Sequence, residues 1–198
     1  MPRSKEQFKE MREKTRALIL EKALYLFANK GFHGTSVSDI AKEAGISKGL
    51  AYNYFDSKDA ILQAIMDNAL AAGLEVMNVS SITDDPFEQL KLMLNNTFDH
   101  VQQNDNYWRM FTALMLQPQL SNVIETMVHE FGRKAMKDTI KIFKKMKMKN
   151  AEEEALILDG IMDGIILHYL FFKEEYPIKK VRKQLLKKYS REELGKKI

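Results

Sequence analysis

Apolar residues recur every three or four positions along almost all of this 198-residue chain, and this spacing limits the fold more than any other feature. Such a repeat places apolar side chains on one face of an α-helix, whereas a half-buried strand requires strict alternation. The chain has only 4 prolines and 9 glycines, few for a protein built from many strands and turns. The sequence therefore predicts an all-α protein. Its lack of cysteine excludes disulfides and thiolate metal sites.

Capping residues, glycines and prolines divide the chain into helices. The predicted helices cover residues 8–30, 37–44, 48–55, 57–77, 86–101, 107–116, 119–147, 150–172 and 178–189. Ser36 and Asp39 have the spacing of a capping box, and Asp85 followed by Pro86 is typical of a helix start. We expect a first domain over residues 1–58, a linking helix over about 57–77 and a second helical domain over 78–198.

The charge is unevenly distributed. Residues 1–60 carry 11 Lys/Arg and 8 Asp/Glu, residues 61–177 carry 11 and 17, and residues 178–198 carry 9 and 2. A basic N-terminal segment suits a polyanionic partner, although a solvated surface has the same composition. The N-terminus lacks the apolar core of a signal peptide, and the apolar run at residues 164–172 is too short to span a bilayer. We expect a cytoplasmic protein without a membrane partner.

One short stretch has the pattern of a catalytic site. Gly45, Ser47 and Gly49 match G-x-S-x-G, the nucleophile elbow of α/β-hydrolases, in which the serine follows a β-strand. The residues before Ser47 have helical spacing, so the required strand is missing. The sequence also contains no P-loop, dinucleotide fingerprint or H-E-x-x-H motif. We predict that the chain is not an enzyme and needs no cofactor.

The same stretch fits two short helices joined by a tight turn, which is a helix-turn-helix. Ile40, Ala41 and Ala44 would pack the first helix inward, and Gly45 would make the turn. The second helix would expose small or polar residues at its N-terminus. Because backbone N–H groups at such an end can approach a phosphate, the arrangement predicts binding to double-stranded DNA.

A longer set of residues resembles a known family. In chain order the set is Thr15, Arg16, Ile19, Ala23, Leu26, Phe27, Lys30, Gly31, Phe32, Thr35, Ser36, Val37, Asp39, Ile40, Ala41, Ala44, Gly45, Ile46, Ser47, Lys48, Gly49, Tyr52, Tyr54, Phe55, Ser57 and Lys58. Over about residues 12–72 it is similar to the N-terminal domain of the TetR/AcrR family of transcriptional regulators. The resemblance implies a homodimer that places two recognition helices in successive major grooves of an operator, which we expect to be palindromic in sequence.

The resemblance also implies site residues, with residues 48–54 as the recognition helix. Those expected to contact DNA are Arg16, Thr35, Ser36, Ser47, Lys48, Gly49, Leu50, Tyr52, Asn53, Tyr54 and Lys58. Thr35, Ser36, Tyr52, Tyr54 and Lys58 would hold phosphates, and Ser47, Gly49, Leu50 and Asn53 would lie nearest the bases. The family often has threonine at position 50 and a larger aliphatic residue at 51. Leu50 and Ala51 depart from that pattern, although a leucine can contact a thymine methyl group.

In the family, the C-terminal helices bind a small-molecule effector that changes the spacing of the DNA-binding heads. Ten of the 12 methionines lie beyond residue 61, and methionine is common in adaptable apolar sites. The candidates for a pocket wall are Met93, His100, Tyr107, Trp108, Phe111, Met115, Met127 and Phe131. Ordinary helical core packing is the other interpretation of these residues.

The last two helices are the candidate dimer interface, since two copies would form a four-helix bundle about a two-fold axis. The residues expected in it are Leu158, Ile161, Ile165, Ile166, Tyr169, Val181 and Leu185. Asp159 and Asp163 could hold a metal as a pair, but the E-x-x-H motif of di-iron bundles is absent from the sequence. We predict no metal site there, and we expect Gly160 and Gly164 to permit close helix approach.

Three classes of function remain open from the sequence. The first is a repressor that a small apolar or amphipathic ligand releases from its operator. The second is a DNA-binding regulator without a small-molecule response, either an activator or a regulator controlled by a protein partner. The third is an all-α enzyme, for which turnover abolished by Ser47→Ala would be the sign.

Overall fold

The computed structural model describes residues 4–117 and 121–194, leaving aside the side chains of residues 77, 121–128, 130 and 131. This part of the chain is helical and contains no β-strand. The helices are α1 (Lys5–Lys30), α2 (Val37–Glu43), α3 (Lys48–Tyr52), α4 (Lys58–Met77), α5 (Pro86–Gln103), α6 (Asp105–Met115), α7 (Ser121–Lys145), α8 (Ala151–Phe172), α9 (Ile178–Lys188) and α10 (Arg191–Leu194), with a 3-10 turn over Lys173–Glu175. The predicted all-α class is confirmed, while the break predicted at Pro118 lies outside the described residues.

Side-chain caps begin the helices where the sequence predicts them. The Ser36 N–H donates to the Asp39 carboxylate at 2.9 Å, and the Asp39 N–H donates to Ser36 Oγ at 3.1 Å. The Phe87 N–H donates to Asp85 Oδ1 at 3.0 Å, with Pro86 as the first helical residue. Each cap satisfies a backbone N–H that has no partner within its helix.

The third helix is shorter than predicted. It ends at Tyr52 instead of continuing to residue 55. The N–H groups of Tyr54 and Phe55 both donate to the Ala51 carbonyl, at 3.0 and 3.1 Å. This shared acceptor closes a turn, so the chain leaves the helix before Phe55, whose side chain is buried.

The chain forms two compact units. The first contains Met1–Ala69 and Met110–Glu125, and the second contains Leu70–Arg109 and Thr126–Ile198. This division differs from the boundary expected at residue 58, because α4, α6 and α7 each contribute residues to both units. The first unit therefore includes a segment that is distant in sequence from the helix-turn-helix.

Each unit has an apolar core of its own. In the first unit, α1 to α4 bury an aliphatic and aromatic set: Ile19, Ala23, Leu24, Phe27, Ile40, Ala51, Ile61, Leu62 and Ile65. In the second unit, α5, α7, α8 and α9 bury Leu90, Leu94, Phe98, Phe143, Ala155, Leu158 and Leu185. The first core holds the short helices α2 and α3, which are too short to be stable alone.

The helix α8 differs from the others in its surface. Together with the 3-10 turn it is the one segment, among the described residues, that is long and apolar enough to cross a membrane by length and composition. The sequence analysis considered only the apolar run at residues 164–172, whereas the whole segment Ala151–Glu175 has a mean hydropathy of 1.7 over its most apolar window. A helix apolar nearly all round requires cover on more than one side.

Candidate nucleic-acid interface

The turn between α2 and α3 has the geometry of a helix-turn-helix. Gly45 has a φ of +66°, a conformation that glycine adopts without the steric cost that other residues meet. The Ile46 N–H donates to the Ala41 carbonyl at 3.0 Å, and the Gly45 N–H donates to the Lys42 carbonyl at 3.1 Å. These bonds close the end of α2 and direct the chain into α3.

This geometry explains why the G-x-S-x-G pattern is not a nucleophile elbow. Ser47 is the N-cap of α3, and its Oγ accepts the Leu50 N–H at 3.1 Å. The residues before it form α2 and not a strand. No group of three or more His, Cys, Asp or Glu side chains that could hold a metal occurs within the described part of the chain.

The exposed face of α3 carries six of the residues predicted to contact DNA. Ser47, Lys48, Gly49, Leu50, Tyr52 and Asn53 are all exposed. A Cβ built on Gly49 would meet no atom within 4 Å, so the subunit itself does not require glycine at this position. Ala51 is fully buried and anchors the opposite face of α3 in the core. The helix therefore presents a small, polar N-terminal end and a leucine to solvent.

Basic side chains from α1 lie beside the aromatic residues that follow α3. The Arg12 guanidinium is 5.7 Å from the centre of the Tyr54 ring, and the Arg16 guanidinium is 5.3 Å from that of Phe55. Arg16 is one of the predicted DNA contacts. Arg12 was considered only as part of an N-terminal arm for the minor groove, because no local pattern places residue 12 next to residue 54. Stacking over rings holds both positive charges near the recognition helix.

Two predicted phosphate contacts have structural roles instead. Thr35 is buried, and its hydroxyl donates to the Gly31 carbonyl at 2.9 Å. The Lys58 ammonium donates to the carbonyls of Phe32 and Thr35 at 2.6 and 2.8 Å. Both side chains therefore satisfy backbone acceptors between α1 and α2, and we propose that they hold this loop in place of the predicted phosphate contacts.

The Ser36 side chain is also engaged in a cap. Its hydroxyl donates to Asp39 Oδ2 at 2.6 Å. Hydrogen bonds from the Ser36 hydroxyl and then from its backbone hold the pKa of Asp39 below its ordinary value. Ser36 is exposed, so its predicted phosphate contact stays a prediction.

The predicted effector-pocket residues fall into both units. Met93, His100, Tyr107 and Trp108 belong to the second unit, and Phe111 and Met115 belong to the first. The Trp108 ring lies edge-on to both His100 and Tyr107, with centroids 5.5 Å apart in each pair. Burial raises the pKa of Tyr107 to about 12. Met127 and Phe131 have side chains outside the described part of the structure.

The predicted interface residues of α8 and α9 divide into two groups. Leu158 and Leu185 are buried in the core of their own unit, which corrects their assignment to a dimer interface. Ile161, Ile165, Ile166, Tyr169 and Val181 are partly exposed. Helical spacing alone did not distinguish the two groups, because both faces of α8 are apolar.

The exposed face of α8 carries large side chains that the sequence analysis did not select. They are Leu156, Ile157, Leu167, Phe171 and Phe172. Gly160 and Gly164 lie among them, and a Cβ at either position would meet no atom within 4 Å. Partial burial raises the pKa of Asp159 and of Asp163, and the charge of Asp163 adds to the effect on Asp159. The neighbouring apolar surface disfavours the charged form of both carboxyls.

Comparison with known proteins agrees with this geometry. Residues 19–65 match the family model described as bacterial regulatory proteins, tetR family. The HTH-type transcriptional regulator BetI of Burkholderia cenocepacia (strain HI2424) is 26% identical over 160 residues, covering 79% of this chain and 82% of that protein. The uncharacterized HTH-type transcriptional regulator YuxN of Bacillus subtilis (strain 168) is 40% identical over 95 residues, covering 46% of this chain but only 32% of that protein.

A solved structure extends the likeness to most of the chain. A transcriptional regulator from Aquifex aeolicus VF5 is 27% identical, with a TM-score of 0.64 over 87% of this chain and 96% of that one. The similarity therefore covers the C-terminal helices as well as the helix-turn-helix.

Proposed function

Because this chain is a TetR-family DNA-binding transcriptional regulator and not an enzyme, we propose that it is a homodimeric repressor that a small apolar or amphipathic ligand releases from its operator. The observation that carries the proposal is the exposed end of α3, where small and polar residues stand beside basic side chains from α1. Such an end suits a base edge and the flanking phosphates.

The apolar face of α8 supports the homodimer. Large exposed side chains on one helix form a surface that water covers unfavourably. A second copy supplies the same face, and a two-fold axis brings the two faces together. Partly exposed Ile161, Ile165 and Val181 line an adjoining groove of about 370 Å³ with Lys180 and Lys188 at its rim.

The test of the DNA-binding role is fluorescence anisotropy on duplexes from the intergenic regions flanking the gene of this protein, with a scrambled duplex as control. We expect tight, selective binding that weakens with salt. Asn53→Ala should reduce the preference for the operator by about 1–3 kcal/mol. Lys48→Ala should weaken binding to both duplexes alike. Equal binding of the wild type to both duplexes at two salt concentrations would contradict the proposal.

A second candidate is a DNA-binding regulator without a small-molecule response. Four cavities of 300–960 Å³ in the second unit have none of the predicted pocket residues in their linings. Adding a panel of apolar and amphipathic compounds to the operator complex separates the two candidates. Release of the duplex by one compound supports the ligand-controlled repressor, and a constant anisotropy across the panel favours the second candidate.

A further inference from the structure

The segment that links α1 to α2 has two positions whose backbone geometry requires glycine. We call residues 31–35 the 31–35 loop. Gly31 has a φ of +79°, and a Cβ at Gly34 would lie 2.6 Å from the Lys30 carbonyl oxygen. Because this loop leads directly into the cap of α2, its conformation sets where α2 and α3 stand relative to α1.

A side chain from far along the sequence holds the start of this loop. Gln117 Nε2 donates to the Phe27 carbonyl at 2.7 Å, and the Phe32 N–H donates to Gln117 Oε1 at 3.2 Å. The Phe27 carbonyl lies in the last turn of α1 and also accepts the Gly31 N–H at 3.1 Å, so Gln117 adds a second donor to this acceptor. Both halves of one amide therefore bridge the end of α1 and the 31–35 loop.

The position of Gln117 follows from the end of α6. Its own N–H donates to the Leu114 carbonyl at 3.1 Å, and the Leu114 side chain is fully buried. The helix α6 ends at Met115, two residues before Gln117, and its residues from Met110 onward belong to the first unit. A displacement of this end of α6 would therefore carry the Gln117 amide with it.

We propose that Gln117 is a positioning residue for DNA recognition, whose amide makes the placement of α2 and α3 depend on the position of the end of α6. The inference rests on the proposed function, since it concerns how the recognition helix is aimed. Lys58 holds the other end of the loop through the Phe32 and Thr35 carbonyls. Gln117, in contrast, holds the loop from a position 85 residues further along the chain than Phe32.

The first test is Gln117→Met in the full-length protein. Methionine keeps the length of the side chain but cannot donate to Phe27 or accept from Phe32. The probes are the duplex that the wild type selects from a random-sequence library and a scrambled duplex. We expect about a tenfold loss of affinity for the selected duplex, unchanged affinity for the scrambled one, and faster hydrogen exchange of the Phe32 amide. Gln103→Met, at the exposed end of α5, is the matched control and should change none of these.

A double-mutant cycle tests the dependence on α6. Leu114→Val creates a small cavity beneath the end of α6, and we expect it to lower affinity for the selected duplex in the wild-type background. In the Gln117→Met background the same change should lower the affinity little further, because the hydrogen bonds that connect the end of α6 to the loop are already absent. Additive effects would show that α6 acts on the helix-turn-helix by another route and would overturn the inference.

Two further results separate failure of the inference from failure of the proposed function. If Gln117→Met weakens binding to both duplexes in proportion to a fall in melting temperature, Gln117 only stabilises the fold and the inference is wrong. If the wild type selects no duplex, the proposed function fails. In that case an unchanged exchange rate of the Phe32 amide in Gln117→Met would also refute the positioning role.

Discussion

The exposed surfaces of the two units differ in what they leave uncovered. In the first unit, the N-terminal end of α3 exposes small and polar residues, Lys58 donates to the Phe32 carbonyl of the loop, and Gln117 donates to the Phe27 carbonyl at the end of α1. In the second unit, α8 leaves leucine and phenylalanine side chains exposed. The first surface suits a hydrated polyanion, and the second suits an apolar partner, because burying apolar area is favourable by about 25 cal/mol per Å².

The largest expected effect is the loss of the dimer on Leu167→Lys. Leu167 is exposed in the subunit, so the fold tolerates lysine there, whereas an unpaired ammonium inside a dimer interface costs about 3–5 kcal/mol. We expect monomers in sedimentation velocity and about a 100-fold weaker operator affinity. Ile82→Lys, at an exposed position outside α8, is the control and should remain dimeric. A dimeric Leu167→Lys protein would place the interface elsewhere.

The next prediction tests whether Lys58 holds the 31–35 loop or contacts phosphate. Lys58→Met removes two hydrogen bonds from a charged donor to backbone carbonyls, and bonds to charged groups contribute about 1.5–3 kcal/mol each. We expect the free energy of unfolding in urea to fall by about 3 kcal/mol, which is twice the lower value for one such bond because Lys58 is partly exposed, with the salt dependence of DNA binding unchanged.

Lys48→Ala is the matched variant for Lys58→Met. Lys48 is exposed at the start of α3, and its loss should reduce the slope of log K against log salt by about one with little change in stability. If the Lys58 variant instead reduced that slope and kept its stability, Lys58 would contact phosphate as the sequence analysis expected.

We expect smaller effects for Gly164→Ala, which should stabilise the monomer but weaken the dimer. Alanine has a helix propensity about 1 kcal/mol better than glycine, and a Cβ at this position meets nothing within 4 Å in the subunit. The variant should therefore stabilise a monomeric Leu167→Lys background by about 1 kcal/mol in urea unfolding. In the dimer, the added methyl should weaken association measured by sedimentation.

Gly132→Ala provides the control for that pair of measurements. Gly132 is exposed on α7, and a Cβ there also meets nothing within 4 Å. It should give the same gain in stability without weakening the dimer. Equal dimer affinity for both variants would argue against close approach of helices at Gly164.

The smallest effect is a change in stability at high pH. Burial, and then the hydrogen bond from the Tyr189 hydroxyl to Glu154 at 2.8 Å, raise the pKa of Tyr189 above its ordinary value. The stabilisation is complete below the unfolded-state pKa of about 10 and is lost as the pH rises through the folded-state pKa. Tyr189→Phe should lower the free energy of unfolding by about 1 kcal/mol at pH 8 and flatten its decline between pH 9 and 11.

Tyr25→Phe is the comparison for the pH series. Tyr25 is exposed on α1, so its replacement should leave the stability at pH 8 as in the wild type. An identical decline in the Tyr189 and Tyr25 variants would mean that Tyr189 does not contribute to the pH dependence.

Local sequence signals predicted the first unit well. The Ser36–Asp39 box, the Gly45 turn and the Ser47 cap all appear where they were predicted, because each bond joins residues three to five apart. The phosphate contacts were predicted for Thr35 and Lys58 because the sequence does not show that loop carbonyls lie within hydrogen-bond distance of their side chains. Their true acceptors depend on how the loop folds back on α1 and α4.

In the second unit, helical spacing predicted the helices but not which face of each helix is buried. Leu158 and Leu185 turn inward, while Leu156 and Leu167 face outward, yet all four are leucines in helices. Because both faces of α8 are apolar, its sequence pattern does not show which face is buried in the core and which is exposed. Packing against the neighbouring helices decides between them.

The sequence by itself determined the helical class, the caps, the helix-turn-helix and the family, since these depend on hydrogen bonds and spacings within a few residues. Only the tertiary structure decided that Gln117 and Lys58 hold the 31–35 loop, that Arg12 lies beside Tyr54, and which side of α8 is left exposed. These contacts join residues 23 to 90 positions apart. Chain geometry over such distances is fixed by the packing of whole helices and not by any short pattern.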